Sequence, residues 1–155
     1  MTMTMSLTSD AFTEGQPIPA QFTGDGKDVS PPLKWADSPA NTATLALICE
    51  DPDAPRGTWT HWVLYNLPPE TRELPQGVPQ HATLADGSMQ GMNDFGNLGY
   101  GGPAPPRGTP HRYFFKLYAL DRRLELRPGA TRSQVLSAIA GHVLAECHLM
   151  GSYKR

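Results

Sequence analysis

The chain has 155 residues, a net charge of −2 at pH 7 and 39% hydrophobic residues, which together predict one globular domain over residues 1–155 with a core of its own. No block of like charge is present, so nucleic acid is not the expected partner, because phosphate backbones are held by clustered basic side chains. No apolar run reaches the roughly 18 residues of a membrane span, and the N-terminus lacks the pattern of a secretory signal, so we expect a cytoplasmic protein.

The first predicted elements are short. The segment up to Trp35 is polar and is interrupted by Pro17, Pro19, Pro31 and Pro32. Proline has no N–H to give to a strand ladder and is confined to edges and turns. We therefore expect short edge strands or coil in this segment.

Two longer strands follow. Residues 42–50, TATLALICE, form a short apolar run with β-branched residues, which predicts a buried strand. Residues 60–67, THWVLYNL, predict a second strand that ends before Pro68 and Pro69. Strict alternation along this second strand predicts two faces, one with His61, Val63 and Tyr65 and the other with Trp62, Leu64 and Asn66.

A third strand is predicted over residues 111–120, HRYFFKLYAL. The same alternation places His111, Tyr113, Phe115 and Leu117 on one face. The sequence therefore predicts that a histidine and a tyrosine two residues apart point in the same direction.

One helix is predicted near the end of the chain. Thr131 and Gln134 fit a capping box, and apolar residues then recur at helical spacing from Val135 to Cys147, with Gly151 as a stop signal. A chain with one helix, several strands and loops rich in glycine and proline is typical of a sandwich or a barrel. We expect a mainly β protein.

The two cysteines, Cys49 and Cys147, are not in a C-x-x-C arrangement. A zinc ribbon or a redox dithiol is therefore not expected. We interpret both as small hydrophobic residues of the interior.

Chemically distinctive residues concentrate in two loops. Asp51-Pro-Asp53-Ala-Pro follows the first buried strand, and its prolines stiffen the backbone around two carboxylates, although a plain turn with solvated aspartates fits equally well. Residues 86–110 carry seven glycines and four prolines. Loops of this length are uncommon in compact domains and are often functional. Within this loop GYGGPA matches a dinucleotide fingerprint, but PPRGTP follows it and prevents the helix that such a site requires.

These segments resemble the phosphatidylethanolamine-binding protein family, which is also called the Raf kinase inhibitor protein family. The resemblance rests on DPDAP, the Trp-x-His of Trp59 and His61, and GYGGPAPPRGTPHRYFF. It extends over nearly the whole chain through PIPAQFTGDGKDVSPPLKW, NDFGNLGYGGP and HVLAECHLMGSYKR, the last of which resembles the C-terminal helix of the bacterial branch. Many bacterial relatives carry cysteines where this chain has Gly24 and Ala104.

The resemblance implies an antiparallel β-sandwich with a C-terminal helix, short peripheral helices and a small anion-binding pocket. The pocket residues of the family fall on Asp51, His61, His111 and Tyr113, with Trp59 as a wall and the backbone around Gly102 and Ala104 closing the site. We also predict Asp53, the second carboxylate of the same loop, as a ligand-binding residue. The implied ligands are phosphate and phosphorylated head groups such as phosphoethanolamine, and the implied role is ligand binding or regulation without catalysis. A homodimer is a further expectation from the bacterial relatives.

The residues themselves fit this pocket. Imidazole and phenol groups can donate hydrogen bonds to an anion, and Asp51 can orient either His61 or His111. Successive glycine amides near Gly102 can form an anion-binding nest, which prolines would keep preformed. No cofactor is expected.

Three other functions remain open from the sequence. His61, His111 and Asp51 together form the ligand set of a metal-dependent enzyme. Alternatively, the stiff loop inhibits a protease, or docks on another protein partner.

Overall fold

Two antiparallel sheets enclose the main core of this computed structural model, which describes residues 4–155. The strands are β1 (Ser6–Thr8), β2 (Leu33–Ala36), β3 (Thr44–Asp51), β4 (Trp59–Leu67), β5 (Glu73–Leu74), β6 (Met89–Gln90), β7 (His111–Leu120) and β8 (Val143–Tyr153). A short 3-10 helix covers Ala20–Phe22, and the helix α1 covers Arg132–Ile139. The three-stranded sheet has the order β1-β2-β5, and the five-stranded sheet has the order β6-β4-β3-β7-β8.

The five-stranded sheet is buried on both faces at its centre. One face packs against the three-stranded sheet in a cluster that includes Leu7, Trp35, Leu47 and Phe115. The opposite face of the sheet packs against α1 in a second cluster. All eight residues of β3 are buried as a result, which is why the strand reads as a continuous apolar run rather than as an alternating one.

The mainly β prediction is confirmed, and the three long predicted strands are present with end shifts of two residues or fewer. The N-terminal segment forms two short strands joined by loops, as expected from its prolines. No helix within residues 4–155 has the length and apolar composition needed to cross a membrane. Cys49 is buried and Cys147 is half-buried, and both thiols are free.

The predicted faces of β4 are wrong for His61 and for Asn66. Two irregularities interrupt its pairing with β3. Cys49 pairs with Trp62 but Glu50 pairs with Thr60, so one extra residue lies in β4 at His61. Such a bulge reverses the alternation beyond it, and His61 therefore turns to the face that carries Tyr113.

Asn66 changes face for a related reason. Its φ of +57° lies in the left-handed region, which asparagine tolerates better than most residues. Its side chain exchanges two hydrogen bonds with the backbone of Leu124, on the α1 side of the sheet. Strict alternation had placed Asn66 with Trp62 and Leu64, whose side chains belong to the other cluster.

The predicted helix begins correctly but ends too late. Thr131 Oγ1 accepts a hydrogen bond from the Gln134 N–H, and Gln134 Oε1 accepts one from the Thr131 N–H, so the capping box is confirmed. The helix ends at Ile139, Gly141 has a φ of +80°, and the segment that resembled a C-terminal helix is β8 instead. β8 pairs with β7 along its whole length.

Candidate functional site

A cavity of about 160 Å³ opens at one end of the five-stranded sheet, where β3 ends and β4 and β7 begin. It is lined by Asp51, Ala54, Pro55, Trp59, His61, Phe95, Ala104, Pro105, Pro106, His111 and Tyr113. Six of the eight residues predicted for the site lie in this lining. The two exceptions are Asp53 and Gly102.

His111 is fixed in the cavity by Asp51. The Nδ1–H of His111 donates to Asp51 Oδ2 at 2.7 Å, and both side chains are buried. Of the two pairings left open by the sequence, Asp51 therefore orients His111 rather than His61. Because a carboxylate only accepts hydrogen bonds, the proton of the neutral ring lies on Nδ1 and leaves Nε2 as the free nitrogen.

His61 is fixed in the same way by a backbone carbonyl. Its Nδ1–H donates to the Gly101 oxygen at 2.6 Å. Burial lowers the pKa of His61, and the hydrogen bond to Gly101 and the charge of Asp51 oppose that effect. Neither His61 Nε2 nor His111 Nε2 has a hydrogen-bond partner within residues 4–155. Each ring therefore keeps one free nitrogen for a ligand.

Tyr113 lies next to His61 in the lining of the cavity. Its ring packs edge-on against His61 with the centroids 5.1 Å apart, and it follows His111 by two residues on the same face of β7. Burial raises the pKa of Tyr113 well above its usual range, so the hydroxyl stays protonated near neutral pH. This hydroxyl has no hydrogen-bond partner in the described part of the chain, and is available as a donor.

Trp59 contributes more than the wall expected from the resemblance. It begins β4 opposite Asp51, and its ring packs edge-on against Phe95 with the centroids 5.5 Å apart. Its indole N–H is buried and has no acceptor among residues 4–155. A buried donor without a protein acceptor is unusual, and a ligand oxygen would satisfy it.

The loop of glycines and prolines does not form the predicted nest of amides. The Gly101 N–H donates to the His61 carbonyl at 2.9 Å, and the Gly102 N–H donates to Asp28 Oδ1 at 2.6 Å. A Cβ on Gly102 would lie only 2.4 Å from the Phe22 carbonyl oxygen. Glycine is therefore required there for close backbone packing, and Gly102 does not line the cavity. The N–H groups of the lining residues Ala54 and Ala104 have no acceptor among the described residues.

Asp53 also has a structural position rather than a place in the lining. Its carboxylate accepts hydrogen bonds from the backbone N–H and the guanidinium of Arg112, each at 2.9 Å. The Arg112 guanidinium lowers the pKa of Asp53. The pair ties the loop after β3 to the start of β7, and so holds Asp51 next to His111.

The cavity includes apolar residues that the sequence analysis did not select. Ala54 and Pro55 belong to the DPDAP loop, Pro105 and Pro106 belong to the glycine- and proline-rich loop, and Phe95 lies in a turn between Asn93 and Asn97. The sequence predicts only a stiffening role for the prolines. Phe95 carried one signal, because an aromatic residue inside a turn of Asn, Asp and Gly residues has no obvious place in a core.

The metal-ligand set proposed as an alternative is not assembled. Within residues 4–155, no three His, Cys, Asp or Glu side chains are placed to hold a metal ion together. Asp51 and His111 instead bond to each other through the atoms Oδ2 and Nδ1.

Comparisons with known proteins agree with this architecture. Residues 8–154 match the family described as phosphatidylethanolamine-binding protein. A UPF0098 protein of Methanothermobacter thermautotrophicus is 53% identical over 151 residues, covering 97% of this chain and 99% of the relative. A UPF0098 protein of Aquifex aeolicus is 50% identical, covering 97% of this chain and 89% of the relative.

Two solved structures have the same fold over nearly the full chain. A phosphatidylethanolamine-binding protein homologue from Chlamydia trachomatis superposes with a TM-score of 0.89 at 41% identity, covering 98% of both chains. YbcL from E. coli, described as a member of the mammalian family, superposes with a TM-score of 0.91 at 29% identity, covering 99% of both chains.

Proposed function

Because the chain belongs to the phosphatidylethanolamine-binding protein family, we propose that its cavity binds a small oxyanion, either phosphate or the phosphorylated head group of a larger molecule. The proposal assigns no catalytic role to the cavity. The protein acts as a ligand-binding or regulatory module, and the anion is held and released unchanged.

One observation carries this proposal. Two buried imidazoles line one cavity, and each is fixed through Nδ1, at 2.6 Å to Gly101 and at 2.7 Å to Asp51. A protonated ring held in this way donates from Nε2 into the cavity, and a charge-assisted hydrogen bond to an anion is about twice as strong as a neutral one. The Tyr113 hydroxyl adds a third donor.

Asp51 is not free to act as a general base itself. A general base must accept a proton from the reacting group, but the carboxylate of Asp51 already accepts the Nδ1–H of His111. The high pKa of Tyr113 makes this phenol a poor base for the same purpose. The donors that the site can offer an anion are the Tyr113 hydroxyl and the Nε2–H of a protonated histidine ring.

Isothermal titration with inorganic phosphate at pH 6 tests the proposal. We expect weak binding, with a Kd on the order of micromolar to millimolar, because few hydrogen bonds act on a strongly hydrated ion. His61→Ala and His111→Ala should each weaken binding at least about tenfold, since each removes a charge-assisted bond. Tyr113→Phe removes only a hydroxyl and should cost less.

His142→Ala is the matched control, because His142 is a histidine paired with Asp121 away from the cavity. It should bind phosphate as the parent does. Circular dichroism of each variant checks that the fold is retained. Unchanged phosphate binding in folded His111→Ala would contradict the proposed site.

The wider setting of the protein is part of the proposal. We place it in the cytoplasm, where both thiols would stay reduced. A protein partner, regulation of a kinase and a homodimer remain predictions from the resemblance.

A further inference from the structure

We infer that Phe95 determines which phosphates the cavity accepts: the site takes a phosphomonoester with a compact apolar substituent in preference to inorganic phosphate, and that substituent packs against the Phe95 ring. The inference rests on the proposed anion site and adds a specificity to it.

Phe95 is partly exposed to solvent, and hydrogen bonds within its turn hold it in that position. It is 43% exposed, and among residues 4–155 only Val143 is a comparably exposed large hydrophobic residue. The turn that carries it is fixed, because Asn93 Oδ1 accepts hydrogen bonds from the N–H groups of Phe95 and Asn97 at 2.9 and 3.1 Å. Asp94 and Thr60 exchange two further hydrogen bonds at 2.9 and 2.7 Å. Folding therefore holds an apolar ring in water without burying it.

The ring stands at the mouth of the cavity. It packs edge-on against Trp59 with the centroids 5.5 Å apart and against His61 with the centroids 5.4 Å apart. Gly101 makes this position possible, because a Cβ there would lie 2.6 Å from Phe95 Cδ2. The buried side of the ring thus covers His61, and the exposed side is free to contact a ligand.

Polarity in the cavity changes with depth. The polar side chains of the floor are almost completely buried, at 3% exposure for Asp51 and His61, 8% for His111 and 1% for Tyr113. The remaining lining residues are apolar, apart from the indole N–H of Trp59, and all of them except Pro105 are partly or fully exposed. The volume of about 160 Å³ corresponds to roughly five water molecules at about 30 Å³ each. The substituent of a phosphate held by the polar floor would therefore extend past the apolar lining residues toward Phe95 at the mouth.

The carboxylates near the mouth do not favour a cationic substituent. Asp51 is the one carboxylate among the lining residues, and its two oxygens accept from the Asp53 N–H and from the His111 Nδ1–H. No carboxylate in the lining is left to pair with an ammonium group. An apolar substituent loses little hydration when it contacts Phe95, and this contact removes apolar surface of both partners from water.

Isothermal titration at pH 6 with inorganic phosphate, phenyl phosphate and phosphoethanolamine tests the inference on the full chain. In the parent, phenyl phosphate should bind about tenfold more tightly than inorganic phosphate, a difference of about 1.4 kcal/mol. Phosphoethanolamine should bind within about threefold of inorganic phosphate. In Phe95→Ala the preference for phenyl phosphate over inorganic phosphate should fall to about twofold or less. Phe95→Leu should keep part of the preference, because it keeps an apolar contact.

Val143→Ala is the matched control, since it shortens the other exposed hydrophobic side chain, far from the cavity in sequence and at the start of β8. It should leave all three affinities unchanged.

Parent protein that binds phosphate without preferring phenyl phosphate would overturn this inference and leave the proposed function intact. If Phe95→Ala weakens the binding of all three compounds equally, Phe95 has a structural role only, and the inference is again overturned. If the parent prefers phosphoethanolamine and Phe95→Ala loses that preference, Phe95 recognises a cation and the inference is overturned. Failure of the parent to bind any of the three would overturn both the inference and the proposed function.

Discussion

At the scale of single residues, the way that the two histidines are held determines the chemistry of the cavity. A neutral imidazole has one N–H donor. In His61 this N–H donates to the Gly101 carbonyl, and in His111 it donates to the Asp51 carboxylate. The free Nε2 of a neutral ring is an acceptor and does not stabilise an oxyanion. Under the proposed function, protonation of His61 would therefore add a donor for the anion.

Binding of sulfate should increase as the pH falls. Sulfate keeps its charge between pH 5 and pH 8, so only the protein titrates. Burial lowers the pKa of His61 below its ordinary value of 6.5, so in the free protein this ring is neutral at pH 8. An anion favours the protonated ring, and the affinity should rise by up to about tenfold per pH unit for each proton taken up. Because the pKa is lowered, the rise should continue below pH 6.5.

Titration calorimetry with sulfate at half-unit steps from pH 8 to pH 5 measures this slope. His61→Ala should make the slope shallower, and His142→Ala should not change it. A sulfate affinity that is constant across the range would show that proton uptake by the histidines is not coupled to the anion.

At the scale of elements, the long strands could be predicted from the sequence because their signals are local. β7 was predicted with its observed bounds, and its buried face of His111, Tyr113, Phe115 and Leu117 follows from alternation alone. β8 could not be recognised in this way. Its apolar residues Val143, Ala145, Cys147 and Leu149 recur every second residue, yet a subset of them also fits helical spacing. Pairing with β7 decides the outcome, and that pairing is a tertiary interaction.

The candidate site shows the same division between local and long-range signals. Asp51, His61, His111 and Tyr113 were identified by their residue types and by resemblance, and all four line the cavity. The bulge at His61 arises from the register between β3 and β4 and has no signature in THWVLYNL itself.

The start of α1 gives a prediction for element stability. Thr131→Ala removes the acceptor for the Gln134 N–H and should lower the free energy of unfolding by about 1 kcal/mol, the usual cost of losing such a cap. Ser133→Ala changes an exposed residue two positions later in the first turn of α1, and it should change the free energy of unfolding by less than about 0.5 kcal/mol. Urea denaturation followed by circular dichroism measures both values. Equal stability of the two variants would show that the cap contributes nothing measurable.

At the scale of the whole molecule, the back of the cavity depends on contacts between distant parts of the chain. The Gly24 N–H donates to the Pro103 carbonyl at 2.8 Å, and the Tyr100 hydroxyl donates to the Phe22 carbonyl at 2.5 Å. Asp25 also pairs with Arg155 at the end of the chain, at 2.7 Å. These partners lie 78 to 130 residues apart in sequence. The prediction of an amide nest was wrong because the Gly102 N–H donates to Asp28 Oδ1. The sequence pattern of the loop does not indicate this contact with a distant residue.

This long-range packing makes Gly24 and Ala104 neighbours and leads to a test of the loop as a preformed unit. A Cβ on Gly24 would lie 3.2 Å from the Ala104 Cβ, close to the separation of roughly 3.5–4.5 Å that a disulfide needs. Gly24 is also not in the left-handed region, so a side chain there adds no backbone strain. The double variant Gly24→Cys/Ala104→Cys should therefore form a disulfide on mild oxidation, without a large backbone shift.

The oxidised double variant should be about 2–4 kcal/mol more stable to urea than its reduced form, because the bond restricts the unfolded chain over a long loop. If the loop is already rigid in the native protein, fixing it in this way should change the phosphate Kd by less than about threefold. Each single cysteine variant serves as a control, and thiol titration before and after reduction reports whether the bond has formed. Failure of the two thiols to pair would contradict the observed proximity of residues 24 and 104. A stable disulfide that abolishes phosphate binding would show instead that the Gly99–Pro106 loop must move to admit the anion.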